Sequence, residues 1–387
     1  MYKSPTVLVF SEPSAELMYR EVMTNISDPR FQAQDMERVV SRNGYALRMN
    51  SVTVMEFTRP DRCVILDPIR NCNPFLHLAE SMWMLAGRND LEFITKFTPS
   101  MNLYSDDGET LHSAYGHRWR NHFGFDQIRD VIKNLKEDSM SRRELVVMWD
   151  PSTDHKYRSN GGKDLSCNFA VKFALRQNRL NMTVFNRSND SVFGCPGGAN
   201  SVHFAFLHQF VSAATGLPMG TYTQISDDLH LYCGGVYREL ESTLLTFKDD
   251  QDKTVEVNLH LNGLDSYESP DATSMVKSYG GIKSTGDASR NVFGESLDAE
   301  TVLREIEDLV ERPHQAVTET PFLRDVAQPI IVAYLTYFKE NNDPAYAQKF
   351  LQHAAAESEL KSLDWFVSCD QWLERVIQKR NKKKEIA

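Results

Sequence analysis

Residues 163–200 read KDLSCNFAVKFALRQNRLNMTVFNRSNDSVFGCPGGAN. Two apolar runs with strand character, joined by Arg176-Gln177-Asn178, predict a β-hairpin. Paired as neighbours, the strands bring Cys167, before the first, and Arg187, after the second, to one end of a sheet. A thiol beside a fixed cation is a candidate nucleophile. An unperturbed cysteine titrates near ~8.5, and nearby positive charge favours the reactive thiolate. On this stretch alone, the reading of Cys167 as a small buried hydrophobe stands equal. The cluster Arg187-Ser188-Asn189-Asp190, a Gly/Pro-rich turn and Asn200 close the stretch.

Outward from this hairpin, TVLVF and SAELMYREVM near the start read as a short strand and a helix. Arg42-Asn43-Gly44-Tyr45 is a turn leading into ALRMNSVTVMEF, whose alternation predicts a strand entering a sheet. PFLHLAESMWMLAG, from residue 74, is apolar on most sides and ends in glycine, as a buried helix does. Glu80 lies inside it, and a buried carboxylate is costly unless it is paired or does chemistry. The competing reading is a glutamate at the helix's solvent edge. Residues 97–124 are loop-rich, with an aromatic-basic knot at YGHRWR (115–120), and FDQIRDVIKNLKED (125–138) is a helix. Ser141-Arg142-Arg143 then precedes the strand ELVVMWD. Adjacent guanidinium forks suit a phosphate or carboxylate, although arginines also collect at solvated helix ends.

Beyond Asn200, SVHFAFLHQFVSAATG reads as a long apolar helix. In YTQISDDLHLY, His230 and Tyr232 share one face of a strand. Residues 248–297, apart from the strand TVEVNLHL, are poor in large apolar groups and read as an insertion. Helices are expected at 298–312, 321–340, 344–356 and 358–379, followed by the basic end KRNKKKEIA.

The 387 residues, 41% hydrophobic, suffice for a sizeable core. A net charge of −10 argues against nucleic acid as the main partner, so any bound anion requires arginines concentrated locally. The six cysteines form no CxxC pair and no metal-ligand spacing, so reduced thiols and no metal are expected. The start has no apolar stretch of signal-peptide length, and no run approaches a membrane span, so a soluble, cytoplasmic protein is expected.

Taken together, the Arg42 turn, Glu80-x-x-Trp83, YGHRWR, SRR at 141–143, Cys167, RSND at 187–190, Asn200 and DLHLY at 228–232 resemble the thymidylate synthase superfamily, over roughly residues 35–260. The resemblance implies an α/β (α+β) fold with a mixed, twisted sheet packed against its copy in a homodimer. It divides the chain into a catalytic core at 1–261, a loop or insertion at 262–297 and a helical C-terminal extension at 298–387. It implies one-carbon transfer from the co-substrate 5,10-methylenetetrahydrofolate to C5 of a pyrimidine deoxynucleoside monophosphate. Cys167 would add to ring carbon C6, dividing one hard step into easier ones. Arg42, Arg187 and Ser188 would hold the phosphate, with Arg142 and Arg143 reaching across from the second subunit. Glu80 would handle protons and ordered water, and Asn200 would read the pyrimidine edge. His230 and Tyr232 would contact the ribose hydroxyl, Asp190 the pterin side, and Tyr115 the network near the cysteine.

Within that superfamily the wording is most like the phage deoxypyrimidine-nucleotide hydroxymethylases. Asn168 follows the cysteine where synthases usually carry histidine, and the loop before Tyr115 lacks the tryptophans that synthases place against the folate. An amide at Asn200, where an acid would suit cytosine, favours the uracil ring. The two-residue expansion Gly197-Gly198 puts Gly198 at the ungapped position. The expectation is therefore a deoxyuridylate hydroxymethylase, acting in the host cytoplasm if phage-encoded. The alternatives are thymidylate synthase, deoxycytidylate hydroxymethylase, or a non-catalytic nucleotide- or RNA-binding protein on this scaffold.

Overall fold

A computed structural model describes residues 7–41, 44–67, 70–233, 244–248, 254–258, 291–358, 360 and 364–386. Arg42 and positions 262–290 of the expected insertion lie outside the described residues. The chain opens with β1 (Val7–Glu12), α1 (Ala15–Ser27), α2 (Pro29–Asp35), β2 (Met36–Ser41), β3 (Gly44–Met49) and β4 (Val52–Phe57). The helices α3 (Pro74–Leu85), α4 (Leu91–Ile94), α5 (Tyr115–Arg120) and α6 (Gln127–Glu137) follow. The central part runs β5 (Leu145–Val147), α7 (Pro151–Ser159), β6 (Asn168–Arg176), β7 (Arg179–Asn186), β8 (Asn189–Asp190), α8 (Ala199–Thr215), β9 (Met219–Ser226) and β10 (Leu229–Cys233). A separate hairpin pairs β11 (Leu244–Lys248) with β12 (Thr254–Asn258).

Six strands form one mixed sheet in the order β1-β4-β9-β7-β6-β5, and four form a smaller one, β2-β3-β10-β8. ALRMNSVTVMEF, expected as one strand, is two. The chain bends at Asn50-Ser51, so β3 joins the small sheet and β4 the large one. YGHRWR, expected in a loop-rich stretch, is helix α5, which lies tight against α3. A Cβ on Gly116 would sit 2.0 Å from the Met84 carbonyl oxygen, so only glycine permits the approach.

Local chemistry fixes the helix starts. The Asn73 side chain caps α3 by accepting from Leu76 N, with Pro74 in the first turn. Asp126 caps α6 by accepting from the N–H groups of Ile128 and Arg129. The apolar stripe of α6, Ile128, Val131, Ile132 and Leu135, is buried, as its spacing predicts.

Helices α3 and α8 are buried nearly all round because they lie between the rest of the core and the C-terminal helices. These are Ala299–Glu311, a helical run from Leu323 to Glu340 that is π-wound at both ends, Pro344–Glu357 and Asp364–Ile386. The last was expected over 358–379. Phe206 of α8 packs on Phe322 and Trp365, and Phe75 of α3 on Tyr334 and Trp372. These side chains belong to one continuous apolar cluster with the sheet residues. The outer face of the large sheet has no such cover among the described residues: Val7, Val9 and Leu145 are exposed, and Val54, Ile225 and Phe185 half-buried. No helix among the described residues is long and apolar enough to cross a membrane.

Candidate active site

Gln177 and Asn178 both have positive φ, 50° and 59°, and form the tight turn that suits a two-residue hairpin. With the turn fixed, Asn168 pairs with Asn186 at the far end of the hairpin. The next residues outward are Cys167 and Arg187, and Arg187 N donates to the Cys167 carbonyl at 3.0 Å. The guanidinium folds back over the same backbone, Nε donating to Ser166 O at 3.0 Å and Nη2 to Leu165 O at 3.2 Å. Nη2 also lies 3.9 Å from Cys167 Sγ, and the guanidinium carbon is 5.8 Å from the centre of the Trp149 ring. Arg187 is exposed, and its Nη1 donates to none of the described residues, so that amino group is open to an oxyanion.

Cys167 is half-buried, whereas Cys63, Cys72, Cys195 and Cys369 are buried. Burial pushes all four of those thiols up, Cys195 to about 12. Among these five, Cys167 alone combines access with an adjacent cation.

Beneath the thiol lies a chain of buried amides. Asn186 Nδ2 donates to Asn168 Oδ1 at 2.8 Å and to Gln224 Oε1, and Ser226 Oγ donates to Asn186 Oδ1. Gln224 Nε2 donates to the Tyr222 hydroxyl, which donates to the Asn200 carbonyl at 3.3 Å. Asn189 clamps the following turn, accepting from Cys195 N and donating to Cys195 O, both at 3.0 Å. Asn168 Nδ2 is fully buried and makes no well-aligned hydrogen bond among the described residues, and its side chain faces the Tyr115 hydroxyl. Tyr115 interacts with Asn168 and Cys167; burial first, and then the Cys167 charge, push its hydroxyl up, so it remains a donor.

The small sheet brings two of the sequence motifs together. β8 and β10 pair in parallel, setting Asp190 opposite His230. The Asp190 carboxylate accepts from Val192 N and Phe193 N and so caps the turn that follows. His230 Nδ1 lies 2.8 Å from Asp228 Oδ1, and its ring meets Tyr232 edge-on at 4.8 Å. Burial opposes ionisation of Asp228, but the contacts to His230 and Arg48 prevail and hold its carboxyl below the usual range.

A Cβ on Gly198, which precedes α8, would lie 2.3 Å from the Phe193 carbonyl oxygen, so no side chain fits there. Asn200 is the second residue of α8 and is half-buried, and its side-chain amide bonds to none of the described residues. Ser188 is half-buried beside Arg187. Arg142 and Arg143 are exposed ahead of β5 and form no ion pair among the described residues. They stand apart from the hairpin end within the single chain.

Glu80 is buried on α3, within reach of a residue that sequence reasoning missed, His203 of α8. A histidine inside the otherwise apolar SVHFAFLHQF was its sole signal. Nothing in the spacing separates it from His208, which donates to Leu180 O and has a structural place.

Residues 19–277 match the family model described as "Thymidylate synthase". A "Deoxyuridylate hydroxymethyltransferase" of Pseudomonas phage M6 is 35% identical over 338 residues, 87% of this chain and 86% of its own. One from Bacillus phage SP01 is 35% identical over 204 residues, 50% of this chain and 52% of its own. The solved thymidylate synthase from T4 phage is 19% identical, with a TM-score of 0.44 over 60% of this chain and 84% of its own.

Proposed function

This chain belongs to the thymidylate synthase family, and on that premise we propose that it is a deoxyuridylate hydroxymethyltransferase. It moves one carbon from methylenetetrahydrofolate to C5 of the uracil ring and lets water complete the product. The observation that carries this reading is the half-buried Cys167 sulfur 3.9 Å from the Arg187 guanidinium. The 35% identity to the phage M6 enzyme over most of both chains supports the choice of reaction.

Arg187, with Ser188, receives the nucleotide phosphate, and the thiolate favoured by that guanidinium adds to C6 of the ring. Addition at C6 places negative charge on C5 and O4, which makes C5 nucleophilic. The buried Asn168 Nδ2 and the Tyr115 hydroxyl are donors beside the thiol, suited to charge developing at O4. An amide donor there also favours the O4 acceptor of uracil over the amino group of cytosine. Asn200 serves the same ring edge from α8, and His230 with Tyr232 the deoxyribose. For the folate co-substrate, the exposed ring of Phe193, 4.8 Å above the Arg70 guanidinium, offers an apolar platform beside Asp190.

Arg142 and Arg143 fit a homodimer in which they complete the phosphate site of the other subunit. The outer face of the large sheet is the surface for that association, since an uncovered apolar sheet face is costly in water. Light scattering of Phe185→Asp should report monomers, with activity lost together with the dimer. The reaction is tested by supplying deoxyuridylate and deoxycytidylate in parallel with methylenetetrahydrofolate and weighing the products. A 5-hydroxymethyl product from deoxyuridylate is expected. A 5-methyl product with stoichiometric dihydrofolate would make the chain a thymidylate synthase instead.

A further inference from the structure

His203 is 2% exposed, and neither ring nitrogen has a hydrogen-bond partner among the described residues. Nε2 lies 3.2 Å from Glu80 Oε2, close enough for an ion pair but misaligned for a hydrogen bond. Glu80 is 5% exposed, and its carboxylate accepts from none of the described residues. Interiors rarely leave a buried imidazole unsatisfied at both nitrogens. Where they do, a water or a ligand completes the set.

His77, one turn before Glu80, is held neutral: burial first, then the charges of Arg70 and His203, push it well below the usual histidine range. Arg70 Nε is committed to the carbonyls of Val192 and Gly197, at 3.0 and 2.7 Å. The next residue along α8 leads toward the thiol. Phe204, next to His203 on α8, packs on Tyr115 at 5.8 Å, and Tyr115 adjoins Cys167.

We propose that His203, seated against Glu80, is the base that takes the proton of the water that enters the product. The proposal rests on the hydroxymethyltransferase reading. At this stage Cys167 Sγ is bonded to C6, and C5 carries a methylene conjugated with the C4 carbonyl. The water oxygen bonds to the methylene carbon, the C=C electron pair moves through C5 onto O4, and His203 takes the water's proton beside the Glu80 carboxylate. Collapse of the O4 enolate restores the carbonyl, forms C5=C6 and expels the Cys167 thiolate. Two protons, one from C5 and one passed from water through His203 to solvent, are balanced by the two that tetrahydrofolate gains on its nitrogens.

The test compares wild type with His203→Leu and His203→Gln, using deoxyuridylate tritiated at C5, methylenetetrahydrofolate and 2-mercaptoethanol. Tritium release reports the steps up to carbon transfer. Mass spectrometry reports the hydroxymethyl nucleotide and the thioether formed when the thiol captures an unhydrated methylene. Loss of a positioned base should lower hydroxymethyl product on the order of 100-fold in both variants, with the thioether rising and tritium release within about threefold of wild type. Parallel loss of tritium release and product in both variants would overturn the proposal, as would unchanged product in either. A wild-type enzyme that methylates deoxyuridylate would instead overturn the hydroxymethyltransferase reading, visibly in the control.

Discussion

Replacing Arg187 with leucine tests whether the guanidinium makes Cys167 reactive. At the 3.9 Å separating Nη2 from Sγ, a unit charge pair is worth roughly 1 kcal/mol in bulk water and roughly 4 at an effective dielectric of 20. Arg187 is exposed and Cys167 half-buried, so solvent screening places the effect near the lower end, about 1–2 kcal/mol. The thiolate fraction at neutral pH should then fall about 5- to 30-fold. Arg187→Lys keeps the charge but loses the paired donors that fix it over Ser166 and Leu165, so partial recovery is expected. The assay is the rate of Cys167 alkylation by iodoacetamide as a function of pH, followed by peptide mapping, with the four buried cysteines as internal controls. Circular dichroism establishes that the variants are folded. A folded leucine variant whose alkylation midpoint coincides with that of wild type would refute the electrostatic reasoning.

Asn186→Leu strands Asn168, Gln224 and Ser226. At about 1–3 kcal/mol for each buried group left unsatisfied, urea unfolding should show a loss of at least roughly 3 kcal/mol. Burial lowers His208 to about 4, so the folded state holds it neutral while the unfolded state titrates near 6.5. A depressed folded value means that this stability is present above the unfolded value and is lost as pH falls toward the folded one. Between about pH 6.5 and pH 5, urea midpoints should drop by the equivalent of about 2 kcal/mol, and His208→Gln should flatten that part of the profile. Trp365, 2% exposed and packed on Phe206 of α8, lies in the stretch expected as a C-terminal extension. Trp365→Ala should cost about 3–5 kcal/mol in a single cooperative thermal transition; a separate early transition would show instead that the extension folds as its own unit.

Periodicity and turn chemistry are local, so the sequence alone gave the hairpin around Gln177-Asn178, the buried character of α3 and α8, the amphipathic α6 and the helical C-terminal region. The hairpin in turn put Cys167 and Arg187 at one sheet end, because antiparallel pairing about a two-residue turn fixes register. The break at Asn50-Ser51 was not legible, since alternation continues through it and only sheet assignment separates β3 from β4. Residues 115–120 hid a helix because their packing depends on Gly116 meeting the Met84 backbone, a contact between segments far apart in sequence. Tertiary structure alone decided which polar groups in the interior lack partners. His203 reads as an ordinary polar residue until helices remote in the chain surround it, and Asn168, though singled out beside Cys167, gives no sign of its buried amide neighbours, because hydrogen-bond satisfaction is a property of three-dimensional neighbours and leaves no periodic trace.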